Sequence, residues 1–180
     1  MKYMIDRKLF EILKRALDKS YLRDYPDKFS TRLMVQKALY LLTHGSSNPK
    51  VRLPYKWNFY LHGPYSPEIS QMIYHMHEVW EEIPNKKIQL QEEDLSSIEN
   101  FKDLKNKLED LNQSHPLLRN IEIFELFEVL ATLVYLGSQI GDDRKKIQEK
   151  FKKFKPELDE KLSQAGFEQI YSLLNEKNFI

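Results

Sequence analysis

Catalysis and metal binding need side chains that trade protons, attack or ligate, and this 180-residue chain offers few of them in a productive pattern. It has no cysteine, which excludes disulfides, thiolate metal sites and a thiol nucleophile. Its five histidines are His44, His62, His75, His77 and His115. His75 and His77 stand two apart, so on a helix they point about 200° away from each other rather than toward one ion. A zinc-protease helix sets its histidines four apart with a glutamate between them, and that pattern is absent. His62 abuts a Gly-Pro turn. Its ordinary role there is a hydrogen bond to loop backbone, and its catalytic one would be proton transfer with a nearby carboxylate. The acids Glu92, Glu93 and Asp94 open a helix, where they complement the dipole. Glu78, Glu81 and Glu82 read as a solvated face. No phosphate-cradling glycine loop and no Gly-x-Ser-x-Gly elbow is present, and five glycines leave little to build one from. We therefore expect no catalytic residue, no cofactor and no metal.

Composition points to a folded binding domain. Hydrophobic residues make up 41% of the chain and aromatics 12%, enough for one core without staples. The amino terminus lacks an apolar signal core, and no run of about 18 uncharged apolar residues occurs. These features predict a cytoplasmic protein with no membrane contact. The net charge of +1 is unevenly spread. Residues 1–60 carry 13 Lys/Arg against 5 Asp/Glu, residues 61–143 carry 6 against 16, and residues 144–180 carry 9 against 6. Between residues 28 and 60 there is no acid at all. Ordinary solvated faces explain such a pattern. A basic surface for nucleic acid, or an acidic one for a basic protein, is the functional alternative.

The elements that would position these residues follow from periodicity. Ile5, Leu9, Ile12, Leu13, Ala16 and Leu17 form the stripe of a helix over 4–19, and Pro26 breaks the chain after it. Ser30 or Thr31 is expected to cap a second helix whose apolar face is Leu33, Met34, Ala38, Leu41 and Leu42. Tyr55, Trp57 and Phe59 alternate with Lys56, Asn58 and Tyr60, the period of a half-buried strand. Gly63-Pro64 turns, Ser66 caps and Pro67 opens a helix with Ile69, Met72, Ile73, Met76 and Trp80 on one face. Pro84-Asn85 should stop it, and 86–91 alternates weakly as a second strand. A helix over 92–112 carries Phe101, Leu104, Leu108 and Leu111, a spacing better suited to packing within the domain than to a coiled coil. Residues 121–140 are apolar on nearly every side and read as the central helix, with Glu122, Glu125 and Glu128 along one edge. A basic helix over 144–155 follows, and Pro156 starts a last helix that Gly166 divides. The fold class is mainly α (α+β), a multi-helix single domain with a small β element.

Gln36-Lys37-x-x-Tyr40-Leu41 on the second helix, then the aromatic strand, then Gly63-Pro64-Tyr65-Ser66 before a helix, form an ordered set. Together they resemble the uncharacterised YwgA-type family of bacteria and archaea and, more distantly, the Panacea antitoxin domain. The resemblance covers about residues 5–90. It implies a non-enzymatic domain, winged-helix-like over 1–91 and helical over 92–180, that acts by binding a protein partner. Gln36, Lys37, Tyr40, Gly63, Pro64 and Ser66 would be structural signature positions, with Gln36 and Tyr40, on one helix face, bracing the turn. Tyr60, His62 and Tyr65 would present the partner surface. The alternative is a winged-helix nucleic-acid-binding regulator with Arg32, Lys37, Lys50, Arg52 and Lys56 on phosphates.

Overall fold

The computed structural model describes residues 6–45, 50–78 and 88–180. Helix α1 spans Arg7–Ala16 and is capped by Asp6, whose side chain accepts from the Leu9 amide at 3.0 Å. It ends earlier than the periodicity suggests, because Leu17 turns extended. A short helix, α2 (Lys19–Asp24), then occupies part of the expected break. Helix α3 (Phe29–His44) starts ahead of both expected caps: Lys28 stands at the N-cap and no side chain closes the end.

The next chain is extended, and from Val51 to Tyr60 odd-numbered residues turn inward while even-numbered ones face solvent. Only Asn58–Tyr60 (β1) pairs, antiparallel to Gly63–Tyr65 (β2). The expected strand over 55–60 is thus half as long as its alternation. Its partner runs out at Ser66, where the chain enters helix α4 (Pro67–Glu78). Trp80, Pro84 and Asn85 lie outside the described residues. Residues 88–91 form no strand, which corrects the reading of 86–91 over its described part.

The second half is helical. Helix α5 (Glu92–Ser114) carries a capping box between Gln91 and Asp94, and α6 (Ile123–Ile140) carries one between Glu122 and Glu125. Helix α7 (Arg144–Phe154) is capped by Asp143. In α8 (Pro156–Glu176) the break falls at Ser163, with φ of 59°, and not at Gly166. Gly166 is instead buried, and a Cβ there would meet Leu118 at 3.2 Å.

One hydrophobic cluster draws on both halves, from Leu9 to Phe179, and includes Phe101, Leu104 and Leu108 of α5. Two central helices run through it. From Leu33 to Leu42 every residue of α3 is buried, Gln36 and Lys37 included, and α6 is buried continuously from Leu126 to Val134. By length and composition α6 could cross a membrane, but more than half of it is covered by the rest of the fold. Its apolarity is that of a core helix pressed against α3.

Candidate functional site

The hairpin lies over α3 and α6, and polar groups from both helices hold it there. Gln36 makes two hydrogen bonds to one residue: its Nε2 donates to the Ser66 carbonyl at 3.1 Å, and its Oε1 accepts from the Ser66 amide at 3.0 Å. Ser66 is fully buried, so without this side chain its amide N–H would lose its partner, while its carbonyl would keep the Ser70 amide at 3.1 Å. The Ser66 hydroxyl also caps α4, accepting from the Ile69 amide at 3.4 Å. One position along α3, Lys37 Nζ donates to the Pro64 carbonyl at 2.7 Å. Gly63 takes φ of 82°, and a Cβ there would stand 2.9 Å from Thr132 Oγ1 of α6. Gln36, Lys37, Gly63, Pro64 and Ser66 therefore form one joint. Tyr40 is not part of it. Its ring stacks on His44 at 4.3 Å and meets Trp57 edge-on at 5.2 Å, and burial pushes its hydroxyl pKa up.

A second anchor went unread in the sequence. Glu128 of α6, which shares an edge with Glu122 and Glu125, is buried. Its Oε1 pairs with Lys155 Nζ at 2.6 Å and its Oε2 with His62 Nδ1 at 3.2 Å. Lys155, assigned to the basic helix surface, is itself buried between α7 and α8, and it also donates to the Leu61 carbonyl. Signals for both were present. Glu128 interrupts the most apolar helix, and Lys155 is the last base before Pro156 ends the run. Lys37 differs from Lys155 in having no carboxylate paired with it among the described residues. Desolvation lowers its amine pKa to about 7, with Glu128 opposing that shift and Lys155 adding to it.

Around the turn the side chains open into a groove of about 580 Å³. Exposed apolar groups frame it: Phe29 is 51% exposed, Tyr60 50% and Leu61 82%. Tyr65 meets Tyr60 edge-on at 5.5 Å, and Phe29 meets His62 at 5.2 Å. The three expected partner-surface residues, Tyr60, His62 and Tyr65, do come together here, joined by Arg32 and Tyr74. His62 has its carboxylate neighbour in Glu128, but among the described residues it makes no hydrogen bond to a hydroxyl that it could activate. No group of three or more His, Asp or Glu able to hold a metal occurs among the described residues.

The expected phosphate contacts do not form one surface. Lys37 is 2% exposed and turned to the Pro64 carbonyl, which removes it as a contact. Arg32 lines the hairpin groove, whereas Lys50 and Arg52 line a separate cleft with His44 and Glu93. Lys56 is exposed, and its amide donates to Glu68 at 3.2 Å.

No family model, curated protein or solved structure matches the chain. The likeness to YwgA-type and Panacea domains therefore stands on the motif residues alone.

Proposed function

We propose that this chain is a non-enzymatic regulatory module that works by binding another protein, in the manner of an antitoxin, with the partner seated in the hairpin groove. The reading is carried by one observation, the exposed ring of Phe29, Tyr60 and Leu61 around a groove whose backbone frame is held by buried side chains. Interfaces concentrate their energy in aromatic anchors, and a rigid frame lowers the entropic cost of binding. The motif resemblance points the same way. On this reading the protein is cytoplasmic, and α6 serves the core.

The test is selection of random phage-displayed peptides on the intact chain, with counter-selection on the Leu61→Asp variant. A family of enriched peptides should emerge whose affinity drops ~10-fold or more on Leu61→Asp, a loss of about 1.4 kcal/mol. Substitution of exposed Glu99 on α5 should leave it unchanged. Failure to enrich any such family would sink the proposal.

A second reading, a winged-helix nucleic-acid-binding regulator, retains one favourable feature. Phe59 lies 5.6 Å from Phe154, which brings the hairpin to the end of α7, where Lys150, Lys152 and Lys153 are exposed. Such binding to duplex DNA would weaken steeply with salt as counterions are released. No detectable binding at low salt would end this alternative.

A further inference from the structure

The groove has a charge as well as a shape. Among the described residues its lining holds Arg32, His62 and Lys37 and no acidic residue. Elsewhere Arg15, Arg23 and Arg144 each lie against a carboxylate, while Arg7, Arg52 and Arg119 pair with none among the described residues but are exposed. Arg32 is half-buried and also lacks one. Its Nη1 donates to the Pro26 carbonyl at 2.7 Å, and among the described residues no acid pairs with it. A guanidinium has five N–H donors, and among the described residues the side chain of this half-buried arginine has a single acceptor, the Pro26 carbonyl, holding it in place. It is a preorganised fork with donors to spare.

Two further features shape the same rim. His62 is bound through Nδ1 to Glu128, which leaves Nε2 on the opposite side of a half-exposed ring. Phe29 is the first residue of α3, a 16-residue helix with no side-chain cap and no acid in its first turn. The partial positive charge of that helix end therefore meets no acid within its own first turn, the neighbouring Asp24 being paired with Lys28. Glu128, whose carboxylate meets the His62 ring, is already shared between Lys155 and His62.

We propose that the groove recognises a partner segment carrying a carboxylate beside an aromatic or branched apolar side chain. The acid pairs with Arg32, with His62 at its flank, and the apolar group packs among Leu33, Leu61 and Tyr65. This inference rests on the protein-binding reading and specifies the chemistry of the partner. A protein carboxylate fits better than a nucleic acid. A phosphate backbone rewards a row of cations, whereas this groove offers one fixed arginine and one histidine. Lys37 is buried and committed to the Pro64 carbonyl. A single carboxylate matches a single guanidinium fork.

The experiment takes the tightest peptide from the selection above and a copy with its Asp or Glu replaced by Asn or Gln. Each is titrated calorimetrically against the wild-type chain, Arg32→Gln and Arg32→Lys. Neutralising the acid and removing Arg32 should each weaken binding ~10-fold or more, as for a hydrogen bond to a charged group. The two changes together should cost less than their sum, because they delete the same pair. Arg32→Lys should recover part of the loss. Thermal melts of both variants, expected to show cooperative unfolding, separate lost recognition from lost folding. If the amide peptide binds as tightly as the acid, or the enriched peptides are basic, the inference is overturned while protein binding stands. Displacement of the peptide by single-stranded oligouridine at physiological salt would also overturn it, in favour of nucleic acid. If no peptide family enriches, the protein-binding reading itself fails.

Discussion

The two sides of the hairpin are fastened by different physics. On the β2 side, Gln36 and Lys37 hold the carbonyls of Ser66 and Pro64 by hydrogen bonds alone. On the turn side, Lys155 holds the Leu61 carbonyl as half of a buried ion pair with Glu128. Both sides place a lysine amine on a hairpin carbonyl, yet among the described residues only Lys155 is paired with a carboxylate. A buried pair is costly to assemble and costlier to split, since removing one partner strands the other charge away from water. The largest expected effect therefore belongs to the turn side. Glu128→Leu should destabilise the fold by about 3–5 kcal/mol in urea unfolding. Adding Lys155→Met to it should restore most of that loss. If the double variant is as unstable as the single, the pair contributes geometry to the hairpin that apolar packing cannot replace.

The β2 side should answer to pH instead. Lys37 has a folded-state pKa near 7, below the 10.5 of an unhindered lysine, so between those values the unfolded chain binds the extra proton. Stability must then rise as pH rises through that window and be lowest, as far as this group decides it, below about pH 7. The groups facing Lys37 are Glu128 on α6 and Lys155 at the start of α8; the first favours its charge and the second opposes it. Burial raises the pKa of Tyr25 and Tyr40, which works in the opposite sense above pH 10, so the clean interval is pH 7 to about 9.5. There the wild type should gain roughly 1 kcal/mol per pH unit, and Lys37→Met should abolish the slope. A slope that survives in Lys37→Met would assign the proton to another group and erase the contrast between the two lysines.

The sequence disclosed the skeleton of this arrangement more readily than its wiring. Helix stripes and the aromatic alternation report burial directly, so most helices and the inward face of the hairpin approach were legible from spacing. So were the Ser66 cap and the gathering of Tyr60, His62 and Tyr65 around the turn. What was hidden is long-range pairing. Gln36 bracing the turn 30 positions away was expected from the motif resemblance, but Lys155 reaches Leu61 across 94, a distance over which no local pattern speaks. Charge also misleads. A lysine or glutamate reads as solvent-facing by default, yet Lys37, Glu128 and Lys155 are all buried. Helix ends failed for a similar reason. Ser30 and Thr31 are good caps by type, but the chain was already helical at Phe29.

Thr132 sharpens the comparison at its smallest scale. It stands one turn beyond Glu128 on α6, so both side chains lie on the same helix face. Glu128 finds two partners there. Thr132 is fully buried, and its Oγ1 has no hydrogen-bond partner among the described residues, lying against Gly63 instead. A buried hydroxyl without a partner carries a desolvation cost and returns nothing for it, whereas a methyl group of similar size carries none. Thr132→Val should therefore stabilise the fold by about 1 kcal/mol, read from the urea midpoint at unchanged slope. The gain should change in the Lys37→Met background, because Thr132 Oγ1 and Lys37 Nζ both border Gly63 and share its surroundings. A loss of similar size would mean that the hydroxyl is hydrogen-bonded in solution. The face of α6 beneath Gly63 would then be a polar anchor of the hairpin in its own right, comparable to the one at Glu128.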